Sequence, residues 1–364
     1  MAKGNIRHMF PGGNTSRGFY SYYSYILDQS SAARIFIIKG GPGVGKSTFM
    51  KNIGNKISDM GFDVEFMHCS SDSDSLDGMV IPAAKVGLID GTAPHVVDPK
   101  NPGAVDEIIY LGDFWDEGGI RENKEVIMHE NMKISRLFVR AYKYLKAAAC
   151  IYDDMITIYD MALDNAKANA KAHSIVRKLF GHNVLTENEG IQRKLFASAI
   201  TPTGLKHYLE SILGDYRVYV LESCPGICTS SMLNMINNSA LERGYNTECY
   251  YCALYPERLE HVVIPEAGVS LTTSNKYHTA QVKAYERICF MDFVRDDVLE
   301  ENSDPLKYDM EKFEELLNKA VETICLAKLS HDKMENYYIP NMDFEAVQAR
   351  CESTLFRVLE YIKN

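Results

Sequence analysis

The chain repeats itself, and the repeat limits its architecture more than any other feature. Sliding the sequence by 183 positions without a gap pairs Arg34 with Arg217, Pro42 with Pro225, Gly43 with Gly226, Ser47 with Ser230 and Ile53 with Ile236. The same offset pairs Gly61 with Gly244, Glu65 with Glu248, Cys69 with Cys252, Leu76 with Leu259, Val80-Ile81-Pro82 with Val263-Ile264-Pro265, and His95 with His278. Between positions 34 and 95, 17 of 62 residues are identical, where average residue usage leaves roughly four to chance. Upstream, an offset of 186 pairs Arg7 with Arg193, Phe10 with Phe196 and Tyr22 with Tyr208. Downstream, an offset of 179 pairs Asp153, Met155 and Tyr159 with Asp332, Met334 and Tyr338. A duplicated unit recurring over nearly the whole length predicts two copies of one domain, divided as residues 1–186 and 187–364. The seam falls at the polar stretch Asn183–Gly190.

Composition narrows the class. With 46% hydrophobic and 24% charged residues, the chain can bury a full core in each half, which excludes a disordered or fibrous protein. Its most apolar stretch, Ala147 to Leu163, carries Asp153, Asp154 and Asp160, so no membrane span is expected. The first residues lack the apolar stretch of a signal peptide, and a cytoplasmic protein is the expectation. A net charge of −10 gives no general attraction to nucleic acid. Nine cysteines are read as reduced thiols.

Within each half the hydrophobic pattern predicts an α/β fold with a parallel sheet flanked by helices. Strands are expected at 6–10, 34–39, 64–69, 86–90 and 108–112. Between them lie a Gly-rich turn at Gly12-Gly13-Asn14, a helix near Phe19–Leu27 and an amphipathic helix whose stripe Phe49, Met50, Ile53, Ile57, Met60 ends before Gly61. Beyond Asn123 long helices form a C-terminal extension to about Phe180.

The junction between strand 34–39 and the following helix reads Gly40-Gly41-Pro42-Gly43-Val44-Gly45-Lys46-Ser47, which fits G-x-x-x-x-G-K-[ST] at every fixed position. Glycines let successive backbone N–H groups turn onto phosphate oxygens, and the helix N-terminus adds its positive dipole. Gly41, Pro42, Gly43, Val44, Gly45, Lys46, Ser47 and Thr48 are therefore the candidate nucleotide-binding residues. Lys46 is placed on the β- and γ-phosphates and Ser47 on Mg²⁺. Residues 34–60 thus resemble the P-loop NTPase superfamily. With GGNT-x-x-G at Gly12–Gly18 and DGTAPH at Asp90–His95, the whole chain also resembles a bacterial family of tandem P-loop ATPase or kinase-like proteins of unsettled function. The resemblance implies ATP, or GTP, with Mg²⁺ as the ligand. Tandem ATPases of the arsenical-pump and division-site type carry a lysine at the second motif position, where this chain has Gly41, so their mechanism is not carried over.

The second copy has Ser223-Cys224-Pro225-Gly226-Ile227-Cys228-Thr229-Ser230 in place of the motif. The cation and two glycines are gone, so the first copy is expected to hold the working site and the second to serve as scaffold, lid or regulator. Asp90 and Asp113 both end predicted strands. Asp90 becomes Thr273 in the copy that lost the lysine, whereas Asp113 stays as Asp292. Asp90 is therefore the preferred acid, catalytic with Lys46 and holding the metal through a water, and Asp113 is read as structural, capping a helix start.

Other candidates are less specific. His95 is a phosphate sensor or base, or a contact between copies, since His278 survives. Asp72, Asp74 and Asp77, placed on a loop, are bases or substrate contacts, or simply solvated. Arg17 and Arg121 are candidate lid or finger arginines. Cys224 and Cys228 with Cys249 and Cys252 invite a metal reading, although Cys249 and Cys252, three apart on a strand, should face opposite ways. The repeated Asp-x-Met-x-x-x-Tyr of the extensions is read as packing, with a lid or a protein-partner surface behind it. The expected activity is slow NTP hydrolysis coupled to a conformational change. The alternatives are a kinase acting on a small molecule or nucleotide, and a nucleotide-gated interaction module.

Overall fold

A computed structural model describes residues 2–93, 96–181, 184–214 and 216–363. The first half runs β1 (Ile6–Met9), β2 (Gly12–Thr15), β3 (Gly18–Ser21), β4 (Arg34–Lys39), α1 (Lys46–Asp59), β5 (Val64–His68), β6 (Leu76–Ile81), β7 (Val86–Asp90), β8 (Asp106–Tyr110), α2 (Glu117–Glu122), α3 (Lys124–Ala162) and α4 (Asn165–Phe180). The second runs β9 (Gln192–Phe196), β10 (Ser198–Thr201), β11 (Gly204–His207), α5 (Leu209–Leu213), β12 (Arg217–Glu222), α6 (Ser230–Leu241), β13 (Thr247–Tyr251), β14 (Leu259–Ile264), β15 (Val269–Ser274), β16 (Ala284–Cys289), α7 (Asp296–Glu301), α8 (Ser303–Glu335) and α9 (Phe344–Lys363). Each half forms a six-stranded sheet, ordered β1-β5-β6-β7-β4-β8 and, strand for strand, β9-β13-β14-β15-β12-β16. The chain is α/β, and its two halves share one topology.

The sheets are mostly, not wholly, parallel. β6 and β14 run against both neighbours, where the sequence pattern predicts a parallel sheet and leaves Leu76–Ile81 unassigned. The reversal follows from chain length. Only Pro82–Lys85 separates β6 from β7, too few residues for the crossover that parallel neighbours require. Lys85 takes a left-handed conformation (φ 52°) to close that turn. The helix expected near Phe19–Leu27 is replaced by the hairpin β2–β3, turned at Gly18 with φ 93°, and a single 3-10 turn over Tyr23–Tyr25. The aromatic run Phe19–Tyr23 suits a pleated strand better than a helix.

Strand alternation divides the interior into layers. Phe36 and Ile38 of β4 face a core built with α1, whereas Ile35 and Ile37 face Val218, Val220 and Tyr250 of the second sheet. In β12, Val218 and Val220 point to that shared core, and Tyr219 and Leu221 point to α6 of their own half and α4 of the first. Each sheet therefore carries helices on one face and the other half on the opposite face.

The helical extensions exchange partners. α4, from the first half, lays Ala172, Ile175 and Phe180 against Tyr219, Leu221 and Leu233 of the second. α9, from the end of the chain, lays Val347, Cys351, Leu355 and Val358 against Phe36, Ile38 and Phe49 of the first. The two halves of the sequence are thus not the two packed units. α3 and α8 run antiparallel, as shown by Tyr152 against Phe313 at one end and the Lys333 to Glu130 ion pair (2.6 Å) at the other. Where the halves meet, Arg7 and Arg193 clamp Glu65 and Glu248: Arg7 lies 3.1 Å from Glu65 and pairs with Glu248, and Arg193 lies 2.7 Å from Glu65 and 3.7 Å from Glu248. Among the described residues no helix is long and apolar enough to cross a membrane.

Candidate functional site

The motif follows the C-terminal end of β4, an interior strand between β7 and β8, and α1 begins at Lys46. Gly43 (φ 69°) and Gly45 (φ 88°) take left-handed conformations, Gly45 as the residue preceding the helix, so the glycines are required by backbone geometry. Val44 is buried under the loop and anchors it. Lys46 folds back so that Nζ donates to the carbonyls of Gly40 (3.1 Å) and Gly41 (2.7 Å). The same ammonium stands 3.7 Å from Asp90 Oδ2. Asp90 is fixed from its other oxygen, which accepts from Thr92 N (2.9 Å) and from the Thr92 hydroxyl. Ser47 Oγ accepts from Leu76 N (2.9 Å), tying the first turn of α1 to β6. Lys46 and Asp90 thus meet, Ser47 beside Lys46 is tied to β6, and Thr48 continues α1. Lys39, just outside the motif, is engaged by Gly91 O and Asp98, each at 2.8 Å.

The other candidates are dispersed. Asp77 lies on β6 rather than on a loop and is buried. Burial, and then the Asp77 carboxylate, push the Tyr23 hydroxyl and the Cys69 thiol well above their usual ranges. Asp72 is met by Lys328 of α8 (3.3 Å) and Asp74 by Lys206 of β11 (3.5 Å), so second-half lysines occupy both acids. Arg17 pairs with Glu257 (3.1 Å) and Arg121 with Glu117 (2.5 Å), both on exposed surface. Asp113 lies exposed in the short 3-10 turn after β8 and does not cap α2; that cap is Asp116, which accepts from Gly118 N (2.9 Å). His95 falls outside the described residues. The cysteines do not converge: Cys249 Sγ lies against Gln192 and Asn237, each at 3.1 Å, and Cys224 against Met291 Sδ at 3.8 Å.

Residues from far along the chain complete the surroundings. A Cβ on Gly41 would come within 2.8 Å of the Tyr338 ring and 3.4 Å of Trp115, and one on Gly43 within 3.0 Å of Ile339 and 3.3 Å of Glu335. The end of α8 and the turn after it therefore rest on the loop. The sequence trace of this contact is the repeated Tyr159/Tyr338, because the first-half extension does the same to the second loop. There Tyr159 lies where a Gly226 Cβ would come within 2.5 Å, and Gly226 N donates to Tyr152 Oη (2.8 Å). Beneath the second loop, Thr229 and Thr273, the counterparts of Lys46 and Asp90, hydrogen-bond to each other at 2.6 Å. Ser230 keeps the tie to the neighbouring strand, donating to Leu259 O (2.8 Å).

Comparison with protein-family models, with curated proteins and with solved structures finds no match to this chain.

Proposed function

We propose that the first half binds a nucleoside triphosphate, ATP or GTP, with Mg²⁺ at Gly41–Thr48, and hydrolyses it slowly. The observation that carries this reading is the Lys46–Asp90 pair beneath a left-handed glycine loop, together with its joint replacement by Thr229 and Thr273. A lysine and an acid that disappear as a unit serve a common ligand. The loop N–H groups and the start of α1 supply hydrogen-bond donors to phosphate. Lys46, now held by two carbonyls, supplies a cation that exchanges those carbonyls for phosphate oxygens. Ser47 Oγ and the Asp90 carboxylate are hard oxygen donors of the kind Mg²⁺ takes, Asp90 through a water. When bound, the metal neutralises charge developing on the transferred phosphoryl group. Tyr338 and Ile339, packed on Gly41 and Gly43, couple any shift of the loop to α8, which favours hydrolysis linked to a conformational change.

The test uses the full chain, stripped of nucleotide, with Lys46→Ala and Asp90→Ala beside the wild type. Binding and phosphate release are followed over ATP, GTP, CTP and UTP with and without Mg²⁺. Loss of binding in Lys46→Ala and loss of metal dependence in Asp90→Ala are expected. Unchanged binding in Lys46→Ala overturns the assignment, and phosphate release that requires a small-molecule acceptor converts it to a kinase.

A further inference from the structure

The second half lost the phosphate chemistry but gained a different cluster in the same place. Glu260, His261 and His278 bring one ligand atom each within 4.8 Å of one another. Glu260 Oε2 lies 4.0 Å from His261 Nε2 and 3.4 Å from His278 Nε2. Ligand atoms on a tetrahedral zinc ion, with bonds of about 2.0–2.1 Å, stand about 3.4 Å apart, so the Glu260–His278 pair already has that spacing and the remaining separations, all within 4.8 Å, must close toward it. His261 is completely buried and His278 nearly so. Yet Glu260 Oε2, His261 Nε2 and His278 Nδ1 make no hydrogen bond among the described residues, an arrangement that folded interiors avoid unless something else satisfies the atoms.

The outer partners suit a ligand set. His261 Nδ1 is held by Thr272 Oγ1 (2.8 Å), which leaves Nε2 facing Glu260, and Ser198 Oγ holds His278 Nε2 at 2.9 Å. The Thr272 bond to the far nitrogen of His261 is how ligating imidazoles are oriented, whereas on His278 it is Nε2, the nitrogen nearest Glu260, that Ser198 holds, so a metal at Nε2 displaces that hydroxyl. In the first half, Asp77 and Gly78 stand where Glu260 and His261 do, so the first half lacks the buried imidazole that completes the trio. Glu260 and His278 also line a cavity of about 80 Å³ that opens to solvent, bounded by Tyr152, Leu254, Tyr255 and Phe313 beside the second loop.

We propose that Glu260, His261 and His278 form a zinc-class metal site in the second half, with the remaining coordination position open to this cavity. Two imidazoles and one carboxylate select a borderline ion such as Zn²⁺ or Co²⁺ over Mg²⁺ or Ca²⁺, which prefer all-oxygen sets. The site is independent of the nucleotide reading.

The test loads the EDTA-treated full chain with Zn²⁺ against a chromophoric chelator and, separately, with Co²⁺ for its visible spectrum. One equivalent of Zn²⁺ and an intense low-symmetry Co²⁺ spectrum are expected. Glu260→Gln and His261→Ala should each weaken Zn²⁺ binding by about 100-fold, while Lys46→Ala leaves it unchanged. Far-UV circular dichroism and metal-free melting temperatures identify a variant that has failed to fold, and the near-isosteric Glu260→Gln then decides. His331→Ala serves as control, because His331, Asp332 and Glu335 on α8 form another cluster of possible ligands. Less than a fifth of an equivalent bound by the wild type, as an order-of-magnitude threshold, an octahedral aquo-type Co²⁺ spectrum, undiminished binding in Glu260→Gln, or loss in His331→Ala alone each overturn the proposal.

Discussion

The two loops occupy the same place in the same sheet order, yet each is closed by different chemistry. In the first, an ammonium and a carboxylate stand 3.7 Å apart under left-handed glycines. In the second, two hydroxyls bond to each other at 2.6 Å, and the N–H of Gly226 is already taken by Tyr152. The charged pair is held by its neighbours, Lys46 by the Gly40 and Gly41 carbonyls and Asp90 by Thr92. The neutral pair satisfies itself. The comparison teaches that an ion pair can be replaced without leaving its partner unsatisfied: Thr229 and Thr273 bond to each other where Lys46 and Asp90 face each other.

The largest expected effect tests whether the charged pair is what matters. Lys46→Ala should weaken nucleotide binding by about 100-fold, on the order of 2.7 kcal/mol, the scale of charge-assisted hydrogen bonds, measured by calorimetry or a fluorescent nucleotide. Installing Thr229→Lys with Thr273→Asp in that background should not restore binding, because Tyr152 still holds Gly226 N and Cys224 and Cys228 remain. Restored binding would break the distinction between the loops.

Next comes the packing of the extensions. Gly226→Ala forces a methyl to within 2.5 Å of the Tyr159 ring at φ 101°, whereas Gly43→Ala meets Ile339 at 3.0 Å with φ 69°. Overpacking plus left-handed strain should cost about 2–4 kcal/mol in Gly226→Ala, and roughly half that in Gly43→Ala, read from denaturant midpoints. Equal losses would show that the two extensions grip their loops alike.

A smaller effect probes the hydroxyl pair. Thr229→Val or Thr273→Val alone leaves a buried hydroxyl unsatisfied, for about 1–2 kcal/mol, while the double variant should recover most of it. Additive losses in that cycle would mean that the two hydroxyls do not depend on each other.

The smallest effect lies where the halves are alike. Burial alone would raise the Glu248 carboxyl, but Arg7 and then Arg193 hold it well below its ordinary value of 4.5. Its contribution is complete above that value and disappears as the pH falls below it. Unfolding midpoints should therefore decline from about pH 4.5 downward in the wild type, by about 1 kcal/mol from this group by about pH 3.5 and further toward about pH 2. The decline should be shallower in Glu248→Gln, whose own midpoint at neutral pH is lower. Parallel slopes in the two proteins would remove the interface carboxylate as the cause.

Much of the frame was legible in the sequence because it depends on local pattern. Arg34–Lys39 has no polar interior residue, as expected of a strand covered on both faces, and the stripe from Phe49 to Met60 locates α1. The paired loss of Lys46 and Asp90 brought those residues together before any coordinates did. β6 escaped notice because Asp77 and Gly78 interrupt its apolar run, and its direction is set by the four-residue turn that follows. The contacts of Tyr338 and Ile339 with Gly41 and Gly43 span nearly 300 positions, and no periodicity records such a distance. Nor did spacing point to Glu260, His261 and His278: His261 replaces a glycine, and Thr272 and Ser198, which hold the two rings, come from different strands.

The exchange of α4 and α9 also sets an order of events during synthesis. The face of β4 that carries Phe36 and Ile38 is finished by α9, which further attaches through Arg34 Nε to Tyr361 Oη (2.9 Å) and Arg357 to Glu107. The first sheet must therefore wait, with apolar surface uncovered, until some three hundred further residues have left the ribosome. The second half, whose covering helix α4 precedes it, can close as soon as its own strands emerge. The half that carries the left-handed glycine loop, although made first, is the last to be completed.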